Sequence, residues 1–124
     1  MKSSEKILRN PFYEETYENY LYVLSKIGIS IDKIENVKFI NKYGIELDVD
    51  RYIREDGEWF FLYKCKDLCF PRKELQTAIF LFNEAEKHFK VKARKIFLII
   101  AIEQHEHELA LENGIEVPDA PIYD

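Results

Sequence analysis

The chain has 124 residues, of which 47% are hydrophobic and 15% are aromatic. This size and composition allow a sizeable apolar core, which excludes a disordered chain and favours a single domain. The net charge of −5 excludes a protein that coats nucleic acid through an overall positive field, so a nucleic-acid contact would require a local basic patch.

The N-terminal residues and the lengths of the apolar runs bear on localisation. Residues 1–6 lack the apolar stretch of a signal peptide, and no later run is long enough to cross a bilayer. We therefore expect a soluble, cytoplasmic protein with no membrane partner.

Cys65 and Cys69 are the two cysteines. They lack the second ligand pair of a structural zinc site, and reduced thiols fit a cytoplasmic protein. A disulfide across the short segment between them is the alternative.

The first predicted element is a helix over about residues 11–27. Asn10 precedes Pro11, as a cap residue precedes the first helical position, and Gly28 lies where a C-terminal cap is expected. Apolar residues at helical spacing mark the side of this helix that faces the core. These residues are Tyr13, Tyr17, Tyr20, Leu21 and Leu24.

Three strands are predicted next. Residues 37–40 form a short strand. In residues 45–50, apolar positions alternate with Glu46, Asp48 and Asp50, which places three carboxylates on one face of the second strand. The continuous apolar run 59–63 is typical of a strand that is buried on both faces.

The loop between the second and third strands determines their register. Residues 55–57 suit a three-residue hairpin loop with Gly57 in the left-handed conformation. Counting back from this loop gives three predicted facing pairs: Arg54 with Glu58, Asp48 with Lys64, and Glu46 with Lys66.

A long helix is predicted to open at Pro71 and to end near residues 88–90. Residues 96–101 then form a fully apolar strand. We expect this strand to be central and parallel to the third strand, because a helix separates the two. The apolar face of the helix consists of Leu75, Ala78, Ile79, Phe82, Ala85 and Phe89.

The last predicted elements are a helix from about Glu103 to Asn113, and an edge strand at residues 115–117. Residues 118–124 are predicted as a tail. The sequence shows no internal repeat and no linker. We therefore predict one domain over residues 1–124, with its core at about 11–117.

The predicted α/β order, α-β-β-β-α-β-α-β, resembles that of the PD-(D/E)XK nuclease superfamily, which includes archaeal Holliday-junction resolvases, RecB-like nucleases and many archaeal and viral proteins. The resemblance covers about residues 11–117. It implies a restriction-endonuclease-like three-layer sandwich with a mixed sheet, and DNA as the partner. The segments that carry it are residues 44–50, 61–66, 96–101 and 113–117.

The resemblance also implies a site. In the superfamily, an acid on the second strand and an acid-x-lysine on the third bind a divalent metal and position the attacking water, often with a glutamate from the first helix. Asp48 matches the second-strand acid and Lys66 the lysine, while Glu18, or less readily Glu14, matches the helix glutamate. Carboxylates suit a hard cation that stabilises charge on a phosphate.

The departure from the pattern is Lys64, which stands where the superfamily has an acid. An ammonium about 4 Å from a dication is repelled by roughly 8 kcal/mol at an effective dielectric of about 20, so a metal site would lose most of its affinity. Lys64 could instead pair with Asp48 across the hairpin and take the place of the cation. We therefore expect a nucleic-acid-associated, nuclease-like protein with little or no cleavage activity.

Two alternatives remain open. In the first, the protein is an active Mg²⁺- or Mn²⁺-dependent DNA endonuclease whose missing acid comes from elsewhere, so that the metal ligands are Asp48, Glu46 and Glu74. Gln76 would then begin a variant of the Gln-x-x-x-Tyr motif of RecB-like enzymes. In the second, aromatic residues such as Trp59 anchor a homodimer in a protein-interaction module.

The charged clusters also have purely structural interpretations. The acidic face of the second strand could be the solvated side of an edge hairpin. His105 and His107 are two residues apart on a predicted helix, hence about 200° apart around its axis, and cannot clasp one ion. The basic residues between positions 72 and 95 alternate with acids, which suits a soluble helix face as well as a nucleic-acid surface.

Overall fold

The computed structural model describes residues 11–66 and 70–123, and the side chains of the first helix from Glu18 onward. This part of the chain contains three α-helices and a mixed five-stranded sheet, together with a separate pair of short strands. In chain order the elements are α1 (Pro11–Lys26), a 3-10 turn (Ile31–Lys33), β1 (Glu35–Ile40), β2 (Glu46–Ile53), β3 (Trp59–Lys64), α2 (Pro71–Phe89), β4 (Ala93–Leu98), β5 (Ile102–Glu103), α3 (Gln104–Glu112), β6 (Ile115–Glu116) and β7 (Ile122–Tyr123).

The five-stranded sheet has the order β1-β2-β3-β4-β6. Strands β1, β2 and β3 are antiparallel neighbours, whereas β4 runs parallel to both β3 and β6. The α2 crossover between β3 and β4 makes this parallel pairing the expected one. The central parallel strand predicted from the apolar run 96–101 is therefore present.

The bounds of β4 differ from the prediction, because it begins at Ala93 and ends at Leu98. The strand starts earlier than its apolar run because the charged residues before that run are paired within the fold. Arg94 donates two hydrogen bonds to Glu116, and Lys95 lies 3.0 Å from Glu86. Polar residues that are paired in this way extend a strand beyond the segment that hydropathy marks.

The hairpin register matches the prediction. The backbone nitrogen of Arg54 donates to the Glu58 oxygen at 2.8 Å, and Gly57 has a φ of 90°. The Gly57 conformation is one that residues with a Cβ adopt at a cost, which is why glycine suits this loop. From the loop, the β2–β3 pairing runs to Asp50 opposite Leu62.

The core lies on both faces of the sheet, and β3 contributes to each. Phe60 and Phe61 are both 0% exposed and belong to different apolar clusters. The first cluster covers the face packed against α2 and α3, and includes Phe39, Val49, Phe61, Leu75, Phe82, Phe97 and Ala110. The second cluster covers the face packed against α1, and includes Tyr20, Val23, Leu24, Tyr52, Phe60, Leu62, Ile96 and Leu98.

The helices bury the faces that the sequence marks. In α1, Tyr20 and Leu24 are buried as predicted, whereas Asn10 and the side chains of Tyr13 and Tyr17 lie outside the described residues. The C-terminal cap forms at Gly28, where the backbone nitrogen of Ile29 donates to Leu24 at 2.9 Å. In α2, the predicted apolar residues are buried or packed against the core.

The segment that follows β6 contains a strand that the sequence did not indicate. Strand β7 pairs in parallel with β5, with Ile102 opposite Ile122 and Glu103 opposite Tyr123. The Ile102 nitrogen also donates to the Pro121 oxygen at 2.9 Å. Two-residue strands are too short to show an alternating pattern, so residues 118–124 read as a tail.

Within residues 11–66 and 70–123, no helix combines the length and the apolar character needed to cross a bilayer.

Two phenylalanines of α2 provide a matched test of this packing. Phe82 is 1% exposed and Phe80 is 47% exposed. We expect Phe82→Ala to lower the free energy of unfolding by about 3–5 kcal/mol, because it leaves a cavity beneath the sheet. Phe80→Ala should change it by only about 0.5 kcal/mol. Urea unfolding measures both, and equal losses would contradict the packing.

Candidate functional site

Asp48 and Lys64 lie on the same face of the sheet. On β2, Asp48 is four residues from Tyr52, which packs in the cluster under α1 and therefore marks the side to which Asp48 belongs. On β3, Lys64 alternates in the same way with Phe60 and Leu62 of that cluster. If the β2–β3 register continued two residues past its last pair, Asp50 with Leu62, Asp48 would lie directly opposite Lys64.

The ion pair expected between these two residues is nevertheless not formed, since no salt bridge or hydrogen bond joins Asp48 to Lys64 among the described residues. That expectation was wrong because the β2–β3 pairing ends at Asp50 and Leu62. Beyond that point each strand follows its outer neighbour, with Asp48 opposite Lys38 of β1 and Lys64 opposite Leu98 of β4.

The remaining predicted residues of this face are spread out. Glu46 and Asp48 are both exposed on β2, and Lys66 is exposed two residues beyond the end of β3. Glu18 is exposed on α1. It lies about 200° around the helix from the buried Tyr20, so it faces away from the sheet. The side chain of Glu14 lies outside the described residues.

Glu74 occupies a different position, in the first turn of α2 beneath the end of β3. Its carboxylate accepts hydrogen bonds from the Lys66 backbone nitrogen at 2.8 Å, from the Tyr63 hydroxyl at 3.2 Å and from the Cys65 thiol at 3.5 Å. Tyr63 packs with the cluster under α2, so Glu74 is on the opposite side of the sheet from Asp48. The carboxylate fastens the end of β3 to the helix that follows it.

The three predicted metal ligands are thus not gathered. Glu46 and Asp48 lie on the α1 face, and Glu74 is engaged on the α2 face. Within the described residues, no group of three or more His, Cys, Asp or Glu side chains could hold a metal ion, His105 and His107 included. The donors placed at these positions do not fit Mg²⁺ or Mn²⁺ without further ligands, because each hard cation takes about six oxygens.

Two tyrosines complete the structure around the end of β3. The Tyr20 hydroxyl donates to the Cys65 carbonyl at 3.2 Å, and burial raises the pKa of Tyr20, with Cys65 and Glu74 raising it further. Burial raises the pKa of Tyr63 to about 12, and the negative charge of Glu74 adds to this effect. Both hydroxyls are therefore protonated donors at neutral pH.

This network of hydrogen bonds could not be predicted from the sequence. Tyr20 was identified as a core residue and Glu74 as a candidate ligand, but neither shows in the sequence that it contacts residues 63–66. The aromatic residues considered for a homodimer are used within the chain, since Tyr20 is buried and Trp59 packs against Phe61 and Phe89. A homodimer stays a prediction.

No family model matches the sequence, and no curated protein matches it. The fold is similar to that in the crystal structure of a repair endonuclease from Pyrococcus abyssi, with a TM-score of 0.53 at 12% sequence identity. The match covers 87% of this chain and 46% of the endonuclease, so the chain spans less than half of that protein's length. At this identity the similarity establishes the fold alone, which is a nuclease-like mixed α/β fold.

The Glu74 contacts predict an unequal response of two glutamates to truncation. Glu74→Ala should lower the free energy of unfolding by about 1–3 kcal/mol, because donors at the end of β3 lose their acceptor. Glu18→Ala is the matched control, because it also removes a helical glutamate but one that is exposed. It should change stability by about 0.5 kcal/mol or less. Equal effects in urea unfolding would contradict the anchoring role of Glu74.

The raised pKa of Tyr63 predicts a stability change at alkaline pH. The ordinary value is 10.0 and the folded value about 12, so the stabilising contribution is complete below pH 10 and is lost as pH rises toward 12. The stability advantage of the wild type over Tyr63→Phe should therefore shrink across this range. Urea unfolding of both proteins at several pH values measures this difference, and a constant difference would contradict it.

Proposed function

We propose that this chain is a degenerate relative of the PD-(D/E)XK nucleases, with their three-layer arrangement, which associates with DNA and has little or no cleavage activity. The observation that carries the proposal is the position of Lys64. It replaces the acid of the acid-x-lysine pattern, and it lies on the same sheet face as Asp48 in a fold similar to that of a repair endonuclease.

The charges on this face support binding more than metal-dependent catalysis. Lys38 lies directly opposite Asp48 in the β1–β2 pairing, and Lys64 follows on β3. Among the three carboxylates on this face of β2, Asp48 is the one that lies directly opposite a lysine of β1. Amines in this arrangement repel a divalent cation and attract a phosphate.

The balance of charge at this end of the sheet fits a local contact. Lys38, Lys64 and Lys66 balance the carboxylates of Glu46, Asp48 and Asp50, whereas the whole chain carries a net charge of −5. A DNA backbone would therefore be repelled less at this end than by the remaining surface, which carries the excess of negative charge. Binding of this kind weakens steeply with salt, because each phosphate contact releases counterions.

The experiment compares cleavage with binding. Incubation of the wild type with plasmid, branched and single-stranded DNA in Mg²⁺ and in Mn²⁺ should leave the DNA intact, whereas fluorescence anisotropy at low salt should detect binding. Cleavage that disappears in Asp48→Ala would contradict the proposal and would support the active-endonuclease alternative. Absence of any binding would contradict the association with DNA.

Restoring the acid tests the role of position 64 directly. Lys64→Glu recreates acid-x-lysine with Lys66, and we expect it to bind Mn²⁺ at least about tenfold more tightly than the wild type, because an attraction replaces a repulsion. Lys64→Gln is the matched control that removes the ammonium without adding a ligand. Calorimetry in which Lys64→Glu binds no better than Lys64→Gln would show that this position is not the altered ligand.

A further inference from the structure

A cavity of about 490 Å³ lies between the first turn of α2 and the β5–β7 pair. It is distinct from the face that carries Asp48, since neither Asp48 nor Lys64 lines it. Its volume is in the range of pockets that enclose a nucleotide-sized ligand. The lining residues that matter are Phe70, Arg72, Lys73, Glu106 and Tyr123.

Glu106 is the unusual residue of this cavity. It lies in the first turn of α3, and its side chain is 8% exposed. The Oε1 atom is 3.5 Å from Nε of Arg72, whereas the buried Oε2 atom has no hydrogen-bond partner among the described residues. Buried carboxylate oxygens are nearly always satisfied, so an unpartnered one on a side chain that lines a cavity points to a donor from outside the chain, which reaches Oε2 when the carboxylate turns toward the cavity.

The other lining groups restrict the kind of donor. Phe70 is 64% exposed and Tyr123 is 51% exposed, so both offer an aromatic face to a planar ring. Arg72 and Lys73 are exposed at the same opening. They would attract a phosphate at this opening, whereas the half-buried Glu103, which also lines the cavity, would keep a phosphate away from its own wall. A ligand with an amino group, a planar ring and a phosphate satisfies all three features.

We propose that this cavity binds one unpaired nucleobase that bears an exocyclic amino group, as cytosine does. The amino group donates to Glu106, as carboxylates accept from the cytosine amino group in DNA complexes. The ring stacks on Phe70 or Tyr123, and the adjacent phosphate contacts Arg72 and Lys73. The inference rests on the proposed association with DNA and specifies single-stranded or extruded bases as the substrate class.

The test uses two ligands that differ in one functional group. Cytosine carries an amino group where thymine carries a carbonyl, so twelve-residue oligo-dC and oligo-dT isolate the contact with Glu106. In anisotropy titrations at one salt concentration and neutral pH, we expect the wild type to bind oligo-dC about fivefold or more tightly than oligo-dT. Equal affinities would overturn the inference and would leave the association with DNA intact.

Variants connect this preference to the cavity. Glu106→Gln keeps the side-chain size but adds donors, so it should abolish the preference for oligo-dC, whereas Glu112→Gln, exposed at the end of the same helix, should retain it. Retention of the preference in a folded Glu106→Gln would overturn the assignment. If Glu106→Gln does not fold, a variant that combines Phe70→Ala with Tyr123→Ala replaces it, and removal of both stacking rings should weaken binding of both oligonucleotides about fivefold. Unchanged binding there overturns the pocket.

A nucleotide titration separates the two proposals. Binding of dCMP in preference to dTMP, followed by NMR shifts of the α2 and α3 first turns, depends on the cavity alone. If longer DNA does not bind but dCMP does, the association with DNA fails and the base pocket stands. If neither nucleotide shifts these signals, or both shift them equally, the pocket fails whatever happens with longer DNA.

Discussion

The burial of β3 on both of its faces is the constraint on which the rest of the structure depends. Phe60 and Phe61 are adjacent and fully buried, so their side chains must be covered from opposite sides. This requirement places α1 on one face and α2 with α3 on the other. It also places the carboxyl-terminal end of β3 next to the first turn of α2, so that Glu74 contacts residues 63–66.

The same strand carries Lys64, the residue by which the candidate site differs from the pattern that the sequence resembles. Lys64 and Asp48 share a face, as acid and lysine do in the superfamily that the sequence resembles, but the strands separate before the two residues pair. The carboxylate then faces Lys38 on one side and an unpaired opening on the other. The amine at position 64, in place of an acid, is the basis of our proposal that this face contacts a phosphate and not a divalent cation.

Local features of the sequence were sufficient to predict the mixed α/β class and the hairpin register, whereas the partners of the candidate site residues were not predictable. The register could be counted from Gly57, because a three-residue loop and an alternating strand each depend on neighbouring residues alone. The Asp48–Lys64 pair was predicted wrongly because the loop determines which residues of β2 and β3 are opposite each other. It does not determine how far from the loop the two strands stay paired. Strand β7 was missed because its pairing with β5 joins two short segments about twenty residues apart.

Two glutamates in helix first turns show what sequence cannot distinguish. Glu74 and Glu106 both suit the positive end of a helix dipole, although the resemblance made only Glu74 a candidate metal ligand. In the fold, the Glu74 carboxylate accepts from the Tyr63 hydroxyl and the Lys66 backbone, whereas Oε2 of Glu106 is buried without a described partner. The contacts of Glu74 within the chain leave it no role in binding that the fold requires, and the unsatisfied Glu106 is therefore the glutamate for which we propose a ligand.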